Sequence, residues 1–445
     1  MNTITGKDFS YDRIDFRRIF RIAVPIALSN VTVPLLGAVD TGVIGQLGDA
    51  KHVAAVSIGA VVVSLCFWLF GFLRMGTTGL TAFSRGEDDH SEVTAILLRA
   101  LVIGLLAGFL IILSQSVIVS LGMLFFQSSN DVEQLASDYL RIRLWASPFT
   151  ISMFAIIGWL IAIERTATVL LIQVVVNGLN IALDFYFVLV LKLGVKGLAG
   201  ASLISEVFGF LIASVICVTL SHKYPLRSFK EVWNLDRWQR AFRVNSNIFF
   251  RTGMLQIVML SYVFFGSTFG TIILAANQIL FLFMSFTAYF LDGIAFAAEV
   301  LVGRSVGAKS KEKLREASTK TGFAACAISI VLSVVFFLIG GSVIDIMVLN
   351  EEVRAAAKSY LFWMAITPVT GFASWILDGI FIGSTRTNYM RRAMSQAFIF
   401  YLLTIAILYP TLGNHGLWIT INLFFIARAV FLARYYPELG KFVNS

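Results

Sequence analysis

Long apolar windows recur twelve times along the 445 residues, at 18–47, 53–83, 93–121, 134–163, 167–191, 196–220, 239–267, 272–304, 316–348, 354–383, 389–411 and 416–436. Each can cross roughly 30 Å of hydrocarbon as a helix of about 20 residues. Inside a bilayer only helices or a closed barrel satisfy every backbone N–H and C=O, and the alternation of barrel strands is absent. The expected fold is therefore an all-α membrane protein with twelve transmembrane helices. Composition agrees, because 58% hydrophobic against 14% charged residues is more apolar surface than a water-soluble domain can bury. The opening stretch MNTITGKDFSYDRIDFRRIFR is polar and lacks the apolar core and cleavage site of a signal peptide, so it is expected to stay in the mature chain.

Orientation follows from lysine and arginine placement. With the N-terminus inside, the inside receives Lys7, Arg13, Arg17, Arg18 and Arg21, the 221–243 stretch, the 304–320 loop and the Arg386 to Arg392 turn. The outside receives only Lys51, Lys192, Lys196, Arg354 and Lys358, which places both termini in the cytoplasm. The net charge of +9 is thus spread over many inside loops, and nucleic-acid binding is not expected. Cys66, Cys217 and Cys326 each sit in a different span and suggest neither a disulfide framework nor a metal site. No Walker loop, dinucleotide fingerprint, HExxH or CxxC occurs, so neither an enzyme nor an ATP-driven pump is indicated.

A shift of about 221 residues brings the two halves into weak register. FRRIFRI at 16–22 falls on WQRAFRV at 238–244, and LGVKGL at 193–198 on LGNHGL at 412–417. The expected organisation is two pseudo-symmetric six-helix bundles, 1–220 and 239–445, joined by a cytoplasmic linker at 221–238. An even number of crossings in each half makes the repeat parallel, with a central cleft where rocking can alternate access.

The repeat also separates what the fold needs from what only one half carries. Asp40 falls on Tyr262, so its carboxyl is not required by the architecture. In the core of a lone helix it costs roughly 2.5–3.5 kcal/mol, so it should face the bundle interior or a wet cavity. In the fifth span Gln173, Asn177, Asn180 and Asp184 are spaced by four, three and four residues, on one helix face. The second half has Met394, Phe398, Tyr401 and Ile405 there instead. Asp40 and Asp184 lie at similar depth, and the stripe is expected to line a cavity, with interhelical hydrogen bonding as the plainer reading of Gln173 and Asn177. Pro25 and Pro34 interrupt the first span and are candidate hinge positions, or static kinks shaped by packing.

At these residues the chain resembles the multidrug and toxic compound extrusion (MATE) family, over nearly its whole length. VDTGVIGQLG with Asp40, Pro25 in the same span, Asn180 with Asp184, and AANQI at 275–279 follow that family's pattern. Within the family, RTG at 251–253, LDGIAFAAEVLVG at 291–303 and LDGIFIGSTRT at 377–387 resemble the DNA-damage-inducible F (DinF) branch. The resemblance implies two six-helix lobes about a V-shaped cleft in a bacterial inner membrane. It implies secondary active export of amphipathic, often cationic small molecules by antiport. It also implies that Asp40 takes up the proton, supported by Asn180 and Asp184. Another branch places coupling-cation carboxylates in its second lobe, one of them in the seventh span, where this chain has Arg251. That departure favours H+ over Na+ and leaves a sodium site in the first lobe open. Neither a cofactor nor a metal is expected, and the expected partners are the cargo and the lipid bilayer, with the chain a monomer.

Arg251, Asp292, Glu299 and Asp378 form a second charged set, within or nearly within the membrane. The simpler expectation is a charge-balancing network joining the seventh, eighth and tenth spans, the other a proton relay. A flippase for lipid-linked precursors is the alternative function. Its pyrophosphate head groups would call for an arginine- and lysine-lined cavity, whereas the first-lobe stripe is acidic and amide-rich.

Overall fold

The computed structural model describes residues 13–125 and 129–443; the polar stretch up to residue 12, Lys7 included, lies outside the described residues. The helices are α1 (Phe16–Gly45), α2 (Ala50–Trp68), α3 (Gly71–Gly86), α4 (His90–Leu113), α5 (Gln115–Phe125), α6 (Asn130–Arg143), α7 (Ser147–Ala162), α8 (Thr166–Asp184), α9 (Gly194–Ser221), α10 (Leu235–Ser267), α11 (Thr271–Gly307), α12 (Lys311–Met347), α13 (Glu351–Gly383), α14 (Thr387–Ala433) and α15 (Tyr436–Val443). Short polar side chains start several of them by taking up a free amide of the first turn. Asp15 accepts from the Arg18 N–H at 2.8 Å and Asn350 from that of Val353 at 3.0 Å.

Among the described residues eleven helical stretches are long and apolar enough to cross a membrane, and the last of them divides in two. Inside α14, Gly413 has φ 57° and ψ −135°, a conformation that favours glycine, and the chain reverses there. The twelve expected crossings are therefore present, and the residues are all-helical in character. Several crossings are built from two pieces. The second is α2 and α3 meeting at Leu69–Phe70, the third is α4 and α5 meeting at Ser114, and the fourth joins α6 to α7 through a 3-10 turn at Leu144–Ala146.

Successive crossings place the turns at 86–90, 162–166, 307–311 and 383–387 at one end with the connector between α9 and α10, here called the linker end. The connector is held against α4, where Thr94 Oγ1 donates to the Tyr224 carbonyl at 2.6 Å. Buried apolar side chains form three large cores. One, at the linker end, mixes both halves of the chain, including Ile19, Ile22, Trp159, Leu291, Val300 and Phe381. The other two lie toward the far end, each within one half: one around Ile44, Val63, Leu140 and Ile151, the other around Tyr262, Phe283, Met364 and Trp418. Helices that share a core at one end and keep separate cores at the other enclose a central cleft that opens at the far end.

The closed end owes its tight fit to glycine. A Cβ on Gly86 would collide with the Arg304 carbonyl, and one on Gly307 with that of Phe83, so α3 and α11 pack backbone to backbone. Charges reinforce the seam. Glu164, in the turn between α7 and α8, pairs with Arg18 at 2.6 Å, Arg85 at 3.6 Å and Arg304 at 3.7 Å, the last from the second half. Burial alone would push the Glu164 carboxyl up. The Arg18 hydrogen bond and the charges of Arg18, Arg85 and Arg304 outweigh it and hold the group below the ordinary glutamate range.

Candidate functional site

The amphipathic stripe of α8 faces the far half of α1 across a cavity of about 210 Å³ in the first half of the chain. Asp40, Gln173, Asn177 and Asn180 line it together. Asn177 Nδ2 donates to Thr32 Oγ1 at 2.8 Å, tying α8 to α1, and Asn180 Nδ2 donates to Asp184 Oδ1 at 3.4 Å. Asp184 is fully buried and its carboxyl is in contact with that of Asp40. Asp40 Oδ1 and Asp184 Oδ2 are both buried and receive no hydrogen bond from any described donor. Directly after Asp184 the helix loosens into a π turn at Phe185–Val190, a departure that often accompanies functional positions.

Arg143, Thr150 and Tyr139 of this cavity are absent from the sequence expectation. Arg143 pairs with Glu206 at 2.9 Å, the Thr150 hydroxyl donates to the same Glu206, and Tyr139 lies beside Arg143. The charge of Arg143 reaches both aspartates. Its signal was present as an arginine well inside the apolar window 134–163.

α1 runs unbroken through Pro25 and Pro34. Pro25 cannot donate to the Arg21 carbonyl, and the Thr166 hydroxyl at the start of α8 does so instead, at 3.1 Å. The proline thus becomes a docking point between α1 and α8.

A second, larger cavity of about 520 Å³ lies at the floor of the cleft, with Trp68, Met259, Met284, Tyr289 and Trp375 in its walls. Arg251 on α10 pairs with Asp378 on α13, and Arg428 on α14 donates to the same oxygen, Oδ2, at 2.6 Å. Glu299 on α11 lies 3.6 Å from Arg74 on α3, and Arg74 also stacks 3.8 Å over the Phe296 ring. Asp292 lines the same cavity and lies within electrostatic reach of Arg74, Arg251 and Arg428. The four charges singled out in the sequence do come together. Their network is wider than the seventh, eighth and tenth spans, since Arg428 joins from α14 and Arg74 from the first half. Three arginines against three carboxylates leave it balanced. Among the described residues there is no cluster of side chains suited to a metal ion.

Comparison with known proteins agrees with this architecture. The MatE family model matches the chain at residues 25–186 and 249–409. DNA damage-inducible protein F of Escherichia coli strain K12 is 34% identical over 94% of this chain and 91% of its own length. A protein of Halalkalibacterium halodurans named "Probable multidrug resistance protein NorM" is 25% identical over 89% of each chain. A solved structure described as the "Outward-facing conformation of a multidrug resistance MATE family transporter of the MOP superfamily" superposes with a TM-score of 0.85 at 20% identity, over 96% of each chain, which shows a shared fold. With a family match across both halves and a one-third-identical relative along nearly its full length, this multi-pass membrane protein belongs to the MatE family of multidrug and toxic compound extrusion transporters.

Proposed function

We propose that the chain exports amphipathic, often cationic compounds in exchange for protons, with Asp40 and Asp184 as the proton-carrying pair. In this reading residues 1–220 and 239–445 are two lobes joined by 221–238. The termini lie in the cytoplasm, the membrane is a bacterial inner membrane, and the monomer is the working unit. The cleft then opens outward, and protons reach the first-lobe cavity from outside.

The observation that carries the proposal is the contact between two carboxyls, each with one buried oxygen, Asp40 Oδ1 and Asp184 Oδ2, that has no hydrogen-bond donor among the described residues. Two carboxylates in contact repel strongly in a poorly hydrated cavity, and a proton between them removes the repulsion. An unprotonated pair gives the cavity anionic character that favours a cationic cargo, since Glu206 and Arg143 offset each other. Arrival of protons neutralises that attraction. Asn180 and Asn177 fix the α8 carboxyl and the α8–α1 spacing, and Gln173 extends the polar wall. The balanced second-lobe network of Arg251, Asp292, Glu299 and Asp378 fits the charge-pairing role better than a relay, because its carboxylates already face arginines.

The driving force is about 1.4 kcal/mol per proton for each pH unit. A membrane potential adds roughly 2.3 kcal/mol per net charge per 100 mV. One proton for one monovalent cation moves no net charge, so a potential contributes only if both aspartates load.

Proteoliposomes loaded with a fluorescent organic cation test the reading. Transport should follow an imposed pH gradient, ignore an imposed sodium gradient, and be abolished by Asp40→Asn in a protein that still purifies folded. Transport driven by sodium alone, or unchanged pH-driven transport by the variant, would reject the assignment.

A further inference from the structure

The proposed exchange gives no task to the cavity between α3, α10, α11 and α14. It measures about 680 Å³, lies at the linker end, and has walls from both halves of the chain. Phe83 and Glu87 come from α3 and the turn after it, Arg240 and Arg243 from α10, Lys309 from the turn after α11, and Arg386 from the turn before α14. Four basic side chains therefore face one acidic one.

Among the described residues none of these four forms an ion pair with a carboxylate. Arg240 donates to Thr385 Oγ1 at 3.3 Å and lies 4.4 Å over the Phe83 ring, while Arg386 lies 3.4 Å over that of Phe442. Arg243 and Lys309 are exposed. Other basic residues at the same end behave differently. Arg85 reaches Glu164, Arg237 pairs with Asp89 at 3.1 Å, and Lys320 with Glu316 at 2.6 Å. A general excess of positive charge on inside loops accounts for scattered cations. It does not account for four that converge on one concavity with only Glu87 against them, where they keep a net repulsion that an added anion relieves.

A second feature points the same way. α14 begins at Thr387 without any side chain capping its first amides, and Thr387 and Asn388 line this cavity. Uncapped amides at the positive end of a helix add to the pull on an anion. The helix start is held in place, since Thr387 Oγ1 donates to the Val244 carbonyl at 3.3 Å and accepts from Asn247 Nδ2 at 3.4 Å.

We propose that this cavity binds the phosphate group of an anionic phospholipid of the leaflet at the linker end. Phe242, adjacent to Arg243 in sequence, is 73% exposed. An apolar ring beside phosphate-seeking cations suits the boundary between headgroups and acyl chains better than open water. The cavity straddles the seam where Gly307 packs on the Phe83 backbone. A bound phosphate therefore bridges both halves and holds the linker end shut. None of this depends on which ion drives transport.

The test uses the purified full chain in detergent and reads its thermal midpoint against added dihexanoyl phosphatidylglycerol, dihexanoyl phosphatidylcholine and inorganic phosphate. A ligand that binds only the folded protein raises the midpoint in proportion to its saturation. Phosphatidylglycerol should raise it well above phosphatidylcholine, and Arg243→Gln with Lys309→Gln should weaken that apparent affinity about tenfold or more. Arg391→Gln with Arg392→Gln, the same loss of charge outside the cavity, should respond as the unmodified protein does. Inorganic phosphate matching phosphatidylglycerol at equal concentration would overturn the lipid source and leave a site for a soluble phosphate compound. No stabilisation by either anion, or equal stabilisation of the Arg243/Lys309 variant, would overturn the site itself.

Discussion

Glu164 concentrates at one residue the electrostatics of the closed end, where a buried carboxylate with 5% of its side chain exposed faces arginines from both halves. Removing one partner of a buried pair leaves the others uncompensated and costs about 3–5 kcal/mol. Glu164→Gln should therefore lower stability by about 3 kcal/mol at neutral pH. The carboxyl is held below its unfolded value, so its contribution is present above the unfolded pKa and is lost as pH falls through the folded one. Denaturation midpoints should thus converge for the two proteins below about pH 4. A constant gap across the whole range would contradict this. At this scale the sequence exposed some residues and hid others. Asp40 and Asp184 stood out because intramembrane carboxylates are costly, and equal depth made them candidates for one site. Their contact was not legible, because it depends on how α1 and α8 cross. Arg143 and Arg428 were missed although each is an arginine inside an apolar window, since one-dimensional patterns do not say which carboxylate each would meet.

Among the elements, α1 and α8 show how a local defect becomes a joint. Pro25 frees the Arg21 carbonyl and Thr166 occupies it, so the two residues act as a unit. Thr166→Val should cost about 1 kcal/mol, the usual net value of one buried hydrogen bond. In a Pro25→Ala background, where the helical amide is restored, the same change should cost little. A double-mutant cycle by chemical denaturation reads the coupling directly, and equal costs in both backgrounds would show that the two residues are independent. The crossings themselves were legible because length and hydropathy suffice to set a span. Their interruptions were less so: the break at Ser114 and the π turn after Asp184 lie within apolar or mixed stretches without an adjacent glycine or proline to mark them, and only the 3-10 turn at Leu144–Ala146 carried a signal, Pro148 in the first turn of α7. Gly413, by contrast, falls between the windows 389–411 and 416–436, where a turn was expected.

For the whole molecule, the internal repeat anticipated two halves and a cleft, but not which end would be shut. Apolar windows of similar character run through both ends, and only three-dimensional packing shows one shared core and two separate ones. That arrangement gives alternating access a concrete form. In the proposed exchange, opening the linker end would require the Gly86–Gly307 seam and the Glu164 cluster to part, with the far end closing over the two cavities. Binding of cargo and of protons must be reciprocally linked if both draw on the Asp40–Asp184 pair. The most direct measurement is the number of protons released when purified protein binds tetraphenylphosphonium, obtained by calorimetry in buffers of different ionisation enthalpy. The unmodified protein should release at least one proton per cation bound, and Asp40→Asn should bind without release. Binding with no proton release, or release that persists in Asp40→Asn, would contradict the account.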